Sequence, residues 1–144
     1  MAEISTLYAD ANGSKTALEI ADSEAREKIG NLHSRIESKV LNFTASNNTS
    51  VNTSYKIIQS GNVCVANIYV TSLPTISTSD WLTVATMPVN AAQNVTFDAY
   101  LKSGSTTNDI EVRSGLITEN KVRVYVSSDD TGKTFRAAIP FISL

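Results

Sequence analysis

Two hydrophobic periods divide the chain. Over residues 18–40 five apolar positions, Leu18, Ala25, Ile29, Leu32 and Ile36, are spaced 7, 4, 3 and 4 apart, which is the spacing of one narrow helical stripe. With Ile29 and Ile36 as a, and Leu18, Ala25 and Leu32 as d, they form a short coiled-coil seam. Asp22 at an a position and Lys39 at a d position leave only the middle clean. Thr16 followed by Glu19 has the capping-box pattern, with Ser14 as the alternative cap. Glu24 and Lys28 are a favourable i,i+4 pair. Gly30 costs such a helix about 1 kcal/mol relative to Ala. A lone helix of this length is marginal in water. A stripe this narrow suits self-pairing better than packing on a sheet, with a helix lying on the β domain as the alternative. Ile at a with Leu at d is by itself the parallel-dimer preference.

After residue 50 the period changes to two. In residues 62–71 both alternating sets are largely apolar (Val63, Val65, Tyr69 against Cys64, Ala66, Ile68, Val70), so this strand is expected to be covered on both faces. Residues 121–127 alternate cleanly, with Val122, Val124 and Val126 inward and Arg123 and Tyr125 outward. Residues 134–142 put Phe135, Ala137, Ile139 and Phe141 on one face, and Pro140 points to an edge or a bulge. Further strands are expected at 54–59, 81–86, 94–101 and 110–117. The segments between them are rich in Gly, Asn, Asp, Ser and Pro, and 45–54 is either a neck or an edge strand. Strands this short and this regularly spaced predict a mainly β chain: an α-helical coiled-coil stalk in residues 1–43, then an antiparallel β-sandwich or jelly-roll head in 44–144.

Composition narrows the partners. The formal net charge is −2, with 12 Lys and Arg against 14 Asp and Glu. The cations are scattered along the head, whereas duplex binding needs a concentrated basic face, so nucleic acid is not expected as a partner. Cys64 is the single cysteine, which excludes an intrachain disulfide and a cysteine metal cluster. It lies in an apolar run and reads as a small buried hydrophobe. Met1 to Ile4 is followed by no apolar stretch of signal-peptide length, and no ~20-residue apolar span exists for membrane insertion.

The chemical motifs are sparse. Residues 127–134 end in Gly132-Lys133-Thr134 like a phosphate-binding loop. That loop needs its first glycine and a following helix. Here Ser127 stands at the glycine position and a strand pattern follows, so a hairpin turn is expected. His33, the only histidine, falls in the stalk, away from any Ser or Cys of the head, so no hydrolase triad is expected. A glycosidase pair would need two carboxylates flanking a cleft. The head offers Asp80, Asp98, Asp109, Glu111, Glu119, Asp129 and Asp130, most of them in expected turns. Neither catalytic residues nor a metal or other cofactor is expected. Asn-x-Ser/Thr at Asn12, Asn42, Asn47, Asn48, Asn52 and Asn94 reads as an Asn/Thr-rich surface. Trp81 beside Asp80, with Tyr100 and Tyr125, is the candidate ligand-binding set: aromatic faces stack on the C–H face of a sugar while polar groups bond its hydroxyls. The competing reading of Trp81 is a partly buried core residue.

Several segments carry a family resemblance. Leu7-Tyr8-Ala9-Asp10-Ala11-Asn12-Gly13-Ser14 and Ala25-Arg26-Glu27-Lys28-Ile29 resemble the neck of tail proteins from phages and prophages of Gram-positive bacteria. Asn42-Phe43-Thr44-Ala45, Ser60-Gly61-Asn62-Val63-Cys64-Val65 and Leu82-Thr83-Val84-Ala85-Thr86-Met87-Pro88-Val89 resemble the C-terminal receptor-binding module of such tail fibres. The resemblance implies a homotrimer within a virion tail, a helical stalk with β-sandwich heads, attachment to other tail proteins, and recognition of host cell-wall polysaccharide. An assembly domain that only trimerises and docks another tail protein is the alternative. No family binding residue maps onto a position of this chain.

Overall fold

The computed structural model describes residues 6–11, 14–19, 27–28, 30–31, 37–104 and 109–144. The chain divides into two compact units, Met1–Glu37 and Ser38–Leu144. In the first, β1 (Thr6–Ala11) and β2 (Ser14–Glu19) pair as an antiparallel hairpin with Ala11 opposite Ser14. This corrects the expected start of the stalk, because Ser14, Thr16 and Leu18 lie in a strand rather than at a helix start. The residues joining the two strands are Asn12-Gly13, the strongest short-range hairpin signal. Between Leu18 and Ala25 the apolar residues Ile20 and Ala21 fall off the heptad seam, and Asp22 holds its a position. Glu27, Lys28, Gly30 and Asn31 have helical backbone and are exposed. No longer helix joins them among the described residues, and the seam positions Ala25, Ile29, Leu32 and Ile36 lie outside those residues, as does His33.

The second unit contains nine strands. They are β3 (Ser38–Leu41), β4 (Thr44–Ala45), β5 (Ile57–Ser60), β6 (Val63–Val70), β7 (Asp80–Thr86), β8 (Val95–Lys102), β9 (Ile110–Thr118), β10 (Lys121–Val126) and β11 (Thr134–Ile142). All belong to one antiparallel sheet in the order β3-β5-β6-β11-β8-β9-β10-β7-β4. Ser38–Leu41, read from the sequence as the end of the stalk, is therefore an edge strand of this sheet, paired with β5. Strands β8, β9 and β10 follow one another as hairpins, and β11 returns to lie beside β8, which is a Greek key.

The sheet is curled, and the chain itself shows how far. Strands β3 and β4 lie at opposite edges of the sheet, yet only Asn42 and Phe43 separate them in sequence. Three residue steps span at most about 11 Å, so the two edges nearly meet. Residues 46–52 stitch the closure. Asn47 and Asn48 turn the chain at φ 52° and 60°, a left-handed conformation that asparagine tolerates. The Asn47 amide donates to the Thr83 carbonyl at 3.0 Å and the Thr49 hydroxyl to the Val84 carbonyl at 2.6 Å. Val51 then bridges to Val70 of β6. The Asn/Thr richness here makes backbone bonds to β7.

The curled sheet encloses one core, with Ile57, Ile68, Leu101, Ile117, Val124, Phe135 and Ile139 essentially buried. Alternation explains most of it. In β10, Val122, Val124 and Val126 are buried while Arg123 and Tyr125 face outward, and in β11 Phe135, Ile139 and Phe141 face in. In β7 the alternation fails: Val84 and Ala85 are both buried. The register against β10 steps between Val122 and Arg123, leaving Val84 as the extra residue of a bulge. Pro140 sits where β11 has only β6 as neighbour, since pairing with β8 stops at Arg136. Its missing N–H costs no bond on that open side.

Two further expectations are corrected. Strand β6 is covered on one face only: Val63 and Val65 are 56% and 36% exposed. The connection 127–133 is not a hairpin, because β10 and β11 are not neighbours. It crosses the end of the sheet with a 3-10 turn at Ser128–Asp130. It also bonds to the β6–β7 connection through the Leu73 N–H to the Lys133 carbonyl and the Gly132 N–H to the Leu73 carbonyl.

Candidate functional site

The outer face of the sheet carries two regions of exposed apolar side chains, placed there by the register. Across β7 and β10, Trp81 lies directly opposite Tyr125. Their rings meet edge to face, with centroids 5.7 Å apart at 73°, the geometry favoured by ring quadrupoles. Arg123, two residues before Tyr125 on the same face, holds its guanidinium 5.9 Å from the Trp81 ring centre, within cation–π range. Tyr125 is 42% exposed. Of the candidate ligand set, then, the fold brings Trp81 and Tyr125 together.

Tyr100 shares that outer face but stands on β8, two strands from Tyr125 and about 10 Å away at ordinary strand spacing. It belongs to another row: Val112, Tyr100, Arg136 and Tyr69 face one another across β9, β8, β11 and β6. Arg136 lies 4.2 Å over the Tyr69 ring, and Tyr69 packs on Tyr55 at 5.3 Å. Asp80 does not join the aromatic face. It pairs in register with buried Val126, and its carboxylate accepts the Trp81 N–H at 2.6 Å. Its role is to fix the backbone beside Trp81.

The second region lies on β3, β5, β6 and the far end of β11. Val40 faces Ile58, Ile58 faces Val65, and Val65 faces Pro140. Val63 faces Ile142 one row on. Val40, Ile58 and Ile142 are 65%, 47% and 50% exposed, and no outward side chain of this region carries a charge. The sequence signal for it was the doubly apolar β6.

The charged groups collect instead at the end of the sheet spanned by the β10–β11 crossover. Asp130 is fully buried. It accepts two bonds from the Arg113 guanidinium at 3.0 and 3.1 Å, one from the Lys133 ammonium at 3.0 Å and one from the Ser127 N–H at 2.9 Å. Burial alone would raise its pKa, but these donors outweigh it and hold the carboxyl at about 2. Glu111 receives Lys133 at 2.6 Å and also pairs with Arg113. The Lys133 hydrogen bond is the main reason its pKa falls below the usual carboxylate value. Lys133 is thus engaged by two carboxylates rather than presented as a phosphate-loop lysine, and a strand follows it. Cys64 is buried in the core. The described residues contain no group of His, Cys, Asp and Glu placed to hold a metal ion, and no described helix is long and apolar enough to cross a membrane.

Sequence reasoning missed one concave site. The β3–β4 link and residues 51–56 border a cleft of about 270 Å³ lined by Asn42, Phe43, Asn52, Tyr55 and Lys56, among others. Comparison with known protein families, curated proteins and solved structures found no match to this chain.

Proposed function

We propose that the chain is a non-enzymatic adhesion module that binds cell-surface saccharide through its outer sheet face. Within that class, we read it as a receptor-binding module of a phage or prophage tail fibre or baseplate. The observation that carries the reading is the partly exposed Trp81–Tyr125 pair, with Arg123 over the indole, on a face made rigid by strand pairing. An edge-to-face pair held on two hydrogen-bonded strands loses little freedom when a sugar ring stacks on it. The resemblance of the neck and head segments to tail-fibre proteins supports the particular setting. It also supports the finer architecture of a self-pairing helical stalk within residues 1–43, beyond the β1–β2 hairpin, that carries the curled-sheet heads as a homotrimer. Linked heads raise effective concentration, so weak single sites bind usefully together.

The test is adsorption of the purified chain to envelope fractions of Gram-positive cells and to a glycan array, beside Trp81→Ala. Loss of one stacking aromatic should cost about 1–3 kcal/mol per site, a roughly fivefold or greater drop in affinity. Equal binding by the variant, or no binding to any envelope fraction, refutes the reading. A second reading, an assembly domain that docks another tail protein, is favoured by the uncharged apolar row Val40–Ile58–Val65–Pro140. Its signature is capture of a tail component that is lost in Val65→Lys and kept in Trp81→Ala.

A further inference from the structure

We propose that the cleft beside the β3–β4 link binds an anionic sugar unit, a hexose-sized ring bearing a carboxylate or phosphate. The cleft is small, about 270 Å³, just under the roughly 300–1,000 Å³ of usual small-ligand sites, so its occupant is about one ring. Two aromatic residues, Phe43 and Tyr55, supply the apolar surface on which the C–H face of a sugar packs. Asn42 and Asn52 supply carboxamides, which both donate and accept and so match hydroxyls.

The choice of an anion rests on Lys56. The residue as a whole is half-buried, and its ammonium donates to the Asn42 side-chain oxygen at 2.6 Å on the exposed side of the cleft. That leaves two of its three protons for other acceptors. Among the described residues it forms no ion pair, whereas Lys133 has two carboxylates. A cation bonded to a neutral amide gains a stronger, charge-assisted hydrogen bond from a ligand that brings negative charge. One Lys without an Arg fork is a point-charge site rather than a bidentate phosphate clamp.

The frame is fixed before any ligand arrives. The Asn52 side-chain oxygen accepts the Ser54 N–H at 2.9 Å, and the Asn52 N–H donates to the Tyr69 carbonyl at 2.8 Å. The Lys56 carbonyl accepts the Asn67 N–H at 3.0 Å. Tyr55 is backed by the Tyr69 ring, which is covered in turn by Arg136. Such preorganisation lowers the ordering cost of binding. The site is separate from Trp81 and Tyr125, and the inference rests on the saccharide reading only for the sugar part of its ligand.

The experiment is an NMR titration of the full chain with glucuronate, glucose 6-phosphate, methyl glucoside and inorganic phosphate. Both anionic sugars should shift the amides of Asn52, Thr53, Tyr55 and Lys56. The neutral glycoside and inorganic phosphate should bind at least about tenfold more weakly, the worth of one charge-assisted hydrogen bond. Lys56→Gln should erase the preference for the anionic sugars while the far-UV spectrum stays native. Equal binding of neutral and charged sugars, equal binding of bare phosphate, an undiminished preference in Lys56→Gln, or shifts confined to other residues each overturn the inference. If Trp81→Ala still weakens cell adsorption in that event, the cleft proposal fails and the adhesion reading stands.

Discussion

Asp130→Asn separates charge from shape at the one fully buried carboxylate among the described residues. The amide has nearly the volume of the carboxylate but offers one acceptor oxygen to Arg113, Lys133 and the Ser127 N–H, and it turns its NH2 toward donors. In the wild type the Asp130 carboxyl is held at about 2 against an ordinary value of 3.8. That depression is worth about 2 kcal/mol of folding stability at neutral pH. A folded-state pKa below the unfolded one gives stability that is complete above about pH 5 and lost as pH falls from about 4 to about 2. The variant should therefore be less stable by about 2–4 kcal/mol at pH 7, since removing one partner leaves Lys133 and Arg113 with Glu111 alone. For a chain of this size that is a Tm loss of roughly 5–15 °C. The decisive measurement is urea unfolding of both proteins from pH 7 to pH 2. The gap between them should shrink through the acid window by about 2 kcal/mol, because protonation makes the wild type resemble the variant. A gap that stays constant with pH, or one below about 0.5 kcal/mol throughout, refutes the claim that charge at Asp130 holds the crossover down.

Two further outcomes test packing and assembly. A Cβ built on Gly115 would overlap the edge of the Phe97 ring directly opposite (Cδ2, Cε2, Cζ), so Gly115→Ala should cost about 1–3 kcal/mol by overpacking. Phe97→Leu in the same chain should recover part of that loss, and a double-mutant cycle with no coupling would contradict the arrangement. For assembly, sedimentation at micromolar concentration should show an oligomer that Ile29→Asp with Ile36→Asp reduces to single chains, with the far-UV β signal of the head intact. A wild-type chain that sediments at monomer mass rules the paired stalk out.

The strands were legible because their signals are local. β10 could be read from Val122, Val124 and Val126 alone, and the same parity in β11 placed Phe135, Ile139 and Phe141 in the core. What one strand cannot show is its neighbour. The loop 127–133 reads as a hairpin because turn residues join two alternating runs, and only the pairing of β11 with β6 and β8 makes it a crossover. Likewise the apolar content of β6 implied a second cover, whereas the single chain leaves that face open. At the N-terminus the opposite holds: the heptad count, spread over many residues, starts a helix near Leu18, whereas the short but specific Asn12-Gly13 pair fits the hairpin of β1 and β2. For the candidate site, residue type alone picked out Trp81 and Tyr125. Their adjacency, the placement of Tyr100 in another row, and the cleft at Lys56 depend on register and on the closure of the sheet edges, which are long-range facts.

Magnitude decides which part of the molecule can hold an oligomer together. The apolar region on β3, β5, β6 and β11 spans four strands, about 15 Å, and two rows, about 7 Å, along the strands. With side-chain overhang it covers on the order of 200–300 Å². The largest apolar patch of an ordinary monomer is already about 300–600 Å², and a stable interface uses about 800 Å² per partner. The face is thus the size of a weak contact, and heads cut away from residues 1–37 should stay monomeric at micromolar concentration. A contact this weak gains occupancy only when another element already holds the copies together, because tethering supplies millimolar effective concentration. In the proposed oligomer of residues 1–144, Val65→Lys should therefore leave the mass unchanged and loosen only the packing of the heads, seen as a lower Tm of the assembled form and an unaltered Tm of the isolated head.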